Sequence, residues 1–463
     1  MEASGFAGRL RPPELTSTVH FLPKHLMKLI NTLAIGALVL ATAGAASAQT
    51  VIRIVASNGD RGATQTAISK LLASGWTYQG IGGSTSSSGT LSVAVNSNFG
   101  AWKGTYAGNS VVIKTSYAGA LAGIAAVAGH TLNRFVVSNG TGTGAVPNPS
   151  TGTTEGTDYE QGFADFGLST NFQATSPFNG VVNGVTYNKV TEEKVGISPL
   201  VFVASPGFPA ASANITTQLA QQLYKNGFAP LSLFTGLPAD ENKIVYAIGR
   251  NTDAGQRYGT YTEIGLGTTT AVQVWKPSIT GATTDPSNVV YGGTANSHVL
   301  WPQEIVSGID SGSPGNGGFG TGADLAPALT SVLGPNAYKL FDASVNDFIF
   351  PNATAGYYIG YLTPNDANSR VLGGVVAAAN RGVLLKYNGV DYTPANVQNG
   401  SYTPWVYNRV LTPKSGLTGL PLTFANALRD QIKNTDATVG GGLKDDASFR
   451  VERFQDGGPV TLK

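Results

Sequence analysis

The sequence predicts an α/β fold, and two observations carry that reading. Short runs of β-branched residues alternate with segments whose apolar residues recur at helical spacing. The 60 glycines are scattered among aliphatic runs with no fixed period, which suits many tight turns in a folded chain rather than a repeat array.

In order along the chain, Val51 to Ala56 (VIRIVA) reads as a strand, closed by the turn residues Ser57, Asn58, Gly59 and Asp60. Ala67, Ile68, Leu71 and Leu72 then fall on one helical face, with Gly75 as the stop. A strand, a glycine-containing loop and a helix in that order aim backbone N–H groups at an anion. Residues 76–117 read as hairpin material around a Ser/Gly loop from Gly82 to Gly89, with Val111 to Thr115 a strand. Ala118 to Ala128 is small and apolar enough for a helix, and Asn139 to Asp158 is a Gly/Thr/Pro-rich loop. Phe163 to Leu168 is a short strand and Val195 to Ala204 a long buried one. A second strand-to-helix unit follows. Thr216 or Thr217 caps a helix carrying Leu219 and Leu223, and Gly227 closes it. Ile244 to Ile248 is the next strand and leads into the loop from Gly249 to Arg257. Ser278 to Ala323 is loop-rich, Tyr357 to Leu362 and Gly382 to Tyr387 read as strands, and Phe424 to Ile432 carries a helical pattern.

The N-terminus reads as an export signal. Lys28 gives a basic start, Leu29 to Leu40 is apolar apart from Asn31 and Thr32, and Ala46, Ser47 and Ala48 offer a small-x-small cleavage pattern. The expectation is that translation starts at Met27, that residues 1–48 are an upstream extension plus signal peptide, and that the mature chain begins at Gln49. That places the protein in the periplasm or outside the cell. The apolar run is shorter than the ~20 residues of a membrane span, and the mature chain has no later candidate.

Taking away residues 1–48 removes four basic and two acidic residues, leaving 25 of each sign and a net charge of zero. With 12% charged residues overall, nothing in the electrostatics favours nucleic acid or a membrane surface. The mature chain has no Cys and no Met, and its histidines are His130 and His298. Disulfides and thiol nucleophiles are excluded, no metal site of the Cys/His kind is expected, and no cofactor is implied. No Gly-x-Ser-x-Gly elbow with a His partner is present, and Gly249-Arg250-Asn251 does not continue into a phosphate loop ending in Gly-Lys-Thr. The expectation is a protein that is not an enzyme, although a pair of carboxylates acting as acid and base is left open.

Three segments in colinear order resemble the phosphate-binding (PstS-like) solute-binding proteins of bacterial ABC importers. The first runs from Ile215 through the Leu219/Leu223 helix and Pro230 to Arg257, similar to a helix leading into a strand that ends in R-x-D-G-S-G-T. The second is Tyr358 to Thr363 (YIGYLT). The third is Leu385 to Tyr407, similar to NGV-x-P-T-x-E-N-I-x-x-G-x-Y-P-L. With Ala164 to Ser169 the similarity spans roughly residues 51–411. It implies a two-lobe periplasmic-binding-protein fold (type II), each lobe a mixed sheet flanked by helices with loop-rich insertions. Chain crossings are expected near Gly196 and Tyr361, so that lobe one is 49–197 plus 362–463 and lobe two 198–361.

The resemblance also implies a site in the cleft, with a small anion such as phosphate as ligand and an ABC permease as partner. Ser57, Asn58, Asp60 and Arg61 lie in the first candidate loop. The hydroxyl-bearing anion loop falls on Gly119 and Ala120, or alternatively on Gly82 to Ser84. Ser169 is kept, while Thr170 stands where a proton-accepting Asp is expected. Arg250 and Gly255 match, but Ala254 and Gln256 replace hydroxyl residues; Asp253 and Arg257 could compensate. The bland alternatives are an Arg250–Asp253 ion pair that stiffens a turn and a solvated Asp60–Arg61 pair. Because a buried oxyanion loses about 1–3 kcal/mol with each missing hydrogen bond, tight phosphate capture is not expected. Two functions stand: delivery of a small oxyanion or polar solute to an importer, or a surface, adhesive or polymer-binding role on a scaffold whose phosphate site is lost.

Overall fold

The computed structural model describes residues 49–81, 91–142, 146–282 and 290–463. The signal sequence and the Gly82 to Ser84 alternative lie outside them. Two mixed sheets organise the chain. Strands β1 (Thr50–Val55), β2 (Thr77–Ile81), β3 (Phe99–Tyr106), β4 (Asn109–Ser116), β5 (Phe166–Ser169) and β6 (Val190–Pro199) belong to the first. Strands β7 (Val201–Ala204), β8 (Phe228–Pro230), β9 (Lys243–Ala247), β10 (Ala355–Leu362) and β11 (Val383–Leu384) form the second, and β12 (Trp405–Pro413) returns to the first. The orders are β6–β12–β5–β1–β4–β3–β2 and β8–β9–β10–β7–β11. The two-lobed α/β arrangement is borne out.

In the first sheet β1 runs parallel to both β4 and β5, so its C-terminal end opens between their loops. One face is covered by α1 (Arg61–Leu71), which places Ala67 and Ile68 against Ile52 and Ile54. The other face receives α2 (Ala120–Ala128), buried at all nine positions. Its small side chains permit this. A Cβ on Gly123 would overlap the Leu168 carbonyl, so the helix lies directly on β5. In the second lobe α3 (Thr217–Asn226) starts where Thr216 accepts the Leu219 N–H at 3.2 Å, and ends at Gly227 with φ +85°. Strand β9 then feeds the loop that opens α4 (Gly255–Glu263). Near the C-terminus α5 (Gly419–Gln431) sends Phe424 and Leu428 into the first core.

Two expectations need correction. The chain does not return to the first lobe near Tyr361. Strand β10 stays in the second sheet between β9 and β7, and β11 pairs with β7, so re-entry waits until Trp405. The stretch after Ser278 is not all loop either: Trp275–Thr280 pairs with Thr294–Leu300 as a long antiparallel ribbon. That ribbon carries His298, which is buried. Its Nδ1 lies 2.9 Å from the Tyr358 hydroxyl, and burial pushes its pKa down to about 3, so the ring is neutral. No helix among the described residues is long and apolar enough to cross a membrane.

Candidate functional site

The loops that follow β1, β4, β5 and β9 meet at one place. Gly119 N–H donates to the Ala56 carbonyl at 3.2 Å, and Ser57 N–H donates to the Leu168 carbonyl at 3.2 Å. From the other lobe, the Asp253 carbonyl accepts the Leu121 N–H at 3.4 Å. Ligands in open α/β sheets sit at such strand C-terminal ends. The nominated residues Ser57, Gly119, Ala120, Ser169, Thr170 and the Arg250 to Gln256 loop are therefore brought together.

What fills the point of convergence is a side chain. Asp253 Oδ1 accepts the Ala122 N–H at 2.7 Å, at the N-terminus of α2, and Oδ2 accepts the Ser307 hydroxyl at 2.7 Å. The first N–H groups of a helix have no intrahelical acceptor and carry the positive end of its dipole, so a carboxylate there takes the place an oxyanion would take. Asp253 is buried, and desolvation pushes its pKa up to about 7 against the opposing pull of Ser307, the α2 amides and Arg250. Gly119 fits this arrangement. Its φ is +148°, and a Cβ there would overlap the Asp253 carboxylate.

Arg250 does not pair with Asp253. Its Nε donates to the Phe319 carbonyl at 3.0 Å, Nη1 to Gln256 Oε1 at 2.7 Å and Nη2 to the Gly320 carbonyl at 2.8 Å. The Tyr361 hydroxyl takes its backbone N–H at 3.1 Å. All three guanidinium nitrogens are committed to uncharged acceptors, and burial lowers the pKa. Ala254 precedes α4 without a side-chain cap, so the missing hydroxyl is not replaced locally. Gly255 faces the first lobe so closely that a Cβ would overlap Thr170 Oγ1, Ala120 Cβ and Asn171 Oδ1. Thr170 Oγ1 is buried there without a hydrogen-bond partner, while Ser169 Oγ accepts the Asn171 N–H at 3.1 Å.

The first loop is also turned inward. Ser57 caps its own short turn by accepting the Gly59 N–H at 3.1 Å. The Asp60–Arg61 pair is not a solvated one. Arg61 donates to the Val95 carbonyl at 2.8 Å and to the side chains of Asn58 and Asn98. Asp60 is 2% exposed, neither oxygen has a partner in another residue, and burial pushes its pKa up to about 8.

Sequence reasoning missed Ser307 and a buried cluster beneath Thr170. Asp456 Oδ2 accepts the Phe172 N–H at 2.9 Å, Asn171 Nδ2 at 3.2 Å and the Thr175 hydroxyl. Arg409, fully buried, lies with Cζ 3.3 Å from the Phe172 ring centre. Only Asn171, next to Thr170, carried a local signal.

No protein-family model matches the sequence, and no curated protein is a significant match. Solved structures similar to this chain include proteins described as binding phosphate. A putative phosphate ABC transporter substrate-binding protein from Clostridium perfringens, solved with bound phosphate, is 10% identical over 86% of this chain and 100% of its own, with a TM-score of 0.38. A possible phosphate binding protein from Planctomyces limnophilus is 10% identical over 87% of this chain and 95% of its own, at 0.39. PstS from Borrelia burgdorferi is 9% identical over 86% and 99%, at 0.35.

Proposed function

We propose that this chain is an exported protein of the solute-binding type, active outside the cytoplasm, that does not hold orthophosphate where its architecture would place it. The observation that carries this reading is the Asp253 carboxylate on the N-terminus of α2. An arriving phosphate would have to displace a hydrogen-bonded anion and would meet Ala120, Ala254 and Thr170 in place of the donors and acceptor it needs. Drawing phosphate out of water is recovered only when nearly all its hydrogen bonds are replaced. Solute capture for an importer permease then requires a different polar or anionic ligand. Calorimetry with orthophosphate near neutral pH is the test. Absent or millimolar binding is expected; submicromolar binding overturns the reading.

A second reading is favoured by the contact across Asp253 itself. Lobes joined by a carboxylate of the chain itself suit a surface or polymer-binding role in which the cleft no longer opens. Solution scattering that shows one compact form with or without candidate solutes would support that role.

A further inference from the structure

Beside the closed site lies a cavity of about 400 Å³. Arg257, Tyr258 and Tyr261 of α4 form one wall, residues 267–271 and 309–313 with Asn316 form the others, and Pro177 of the first lobe stands at its edge. The geometry points to this cavity as the binding site for a small hydroxylated carboxylate, of the sugar-acid class. The inference rests on the reading that the chain binds a solute other than orthophosphate.

Charge is the first argument. Arg257 is 5% exposed, and no carboxylate lies within 4.0 Å of it among the described residues. Its Nη1 donates to the Arg250 carbonyl at 3.1 Å and the Gly317 carbonyl at 3.0 Å, and Nη2 donates to Asn316 Oδ1 at 2.5 Å. Its Cζ lies 4.9 Å from the Tyr261 ring centre. A buried cation held only by neutral acceptors and a ring face is not neutralised, and a carboxylate in the cavity would neutralise it.

The hydroxyls are the second argument. Thr252 borders the cavity, but its Oγ1 is sealed from it, so the hydroxyls that face a solute come from the loops. Thr268, Thr269, Ser311 and Ser313 supply four hydroxyls. Ser311 Oγ accepts the Glu304 N–H at 3.0 Å and keeps its own hydrogen to give. The rim carboxylate of Asp310, held by the Gly312 N–H at 2.8 Å and Gln303 at 3.1 Å, is an acceptor for solute hydroxyls and opposes a ligand of higher negative charge. Size is the third. At about 30 Å³ per water the cavity has room for about 13 waters, too large for orthophosphate and suited to one six-membered ring with its substituents.

The experiment is calorimetry on the purified protein with glucuronate, with glucose as the uncharged probe and orthophosphate alongside. Glucuronate is expected to bind at least about tenfold tighter than glucose. Ser313→Ala removes a partly exposed lining hydroxyl that makes no internal bond, so the fold is retained, and glucuronate binding should weaken about fivefold or more. Arg257→Met should abolish it; because Arg257 also ties three loops, the Ser313 variant decides if that protein misfolds. Equal affinities for glucuronate and glucose, no binding of either, or an unchanged Ser313→Ala affinity overturns the assignment. Submicromolar orthophosphate binding sensitive to Asp253 but not to Ser313 instead overturns the reading on which it rests.

Discussion

Replacing Asp60 by Asn should make the protein more stable at alkaline pH and leave it nearly unchanged near about pH 3. Asp60 is buried at the start of α1 with no partner for either oxygen in another residue. Tyr117 is the titratable group that feels its charge, and the Arg61 guanidinium is turned away to Asn58, Asn98 and Val95. Burial raises the Asp60 pKa from 3.8 to about 8. With the folded pKa above the unfolded one, the folded state holds a proton that the unfolded state has lost. Stability is therefore greatest below 3.8, falls as pH rises towards 8, and is level above that. At about 1.4 kcal/mol per pKa unit the ceiling is about 6 kcal/mol; water reaching the carboxylate and local relaxation reduce this to ~2–4 kcal/mol. Asn keeps the shape and removes the ionisation. Urea unfolding of both proteins from about pH 3 to about pH 9 should show the variant level with wild type at the acid end and ahead by ~2–4 kcal/mol at the alkaline end. A difference that is constant across the range, or one that favours wild type as pH rises, refutes the reasoning.

Three further outcomes are expected. Asp253→Ala leaves the Ala122 N–H and the Ser307 hydroxyl without their acceptor, so it should cost about 1–3 kcal/mol in chemical denaturation; it should also give orthophosphate a measurable, millimolar site by calorimetry. Gly123→Ala drives a methyl into the Leu168 carbonyl and should cost about 2–3 kcal/mol or prevent folding, read as a lowered melting temperature. Thr170→Val removes a hydroxyl that bonds to nothing, and its stability should stay within about 1 kcal/mol of wild type.

Much of the scaffold was legible because its signals are local. The β-branched run of β1, the Thr216 cap and Gly227 stop of α3, and the small residues of α2 each specify an element within a few positions. The convergence of the Ser57, Gly119, Ser169 and Arg250 loops followed from the order of those elements. What the residues did with their side chains was not legible. Asp253 and Arg250 lie three apart and invite an ion pair, yet each finds its partners on distant loops, Ser307 and Ala122 for one and Phe319 and Gly320 for the other. Asp456 reaches Asn171 across 285 positions, a contact that no pattern in the chain encodes. The second crossing was misplaced for a related reason: β10 reads the same whether it pairs in one sheet or the other, and only its neighbours β9 and β7 decide.

The carboxylate bridge between Asp253 and α2 has a consequence for communication. In a protein that signals its load by closing, shape is informative only when solute changes it. Here the acceptor that joins the two lobes is the Asp253 carboxylate, held by the Ala122 N–H and the Ser307 hydroxyl. Because that acceptor belongs to the chain, the joined form would need no cargo and would carry no news of one.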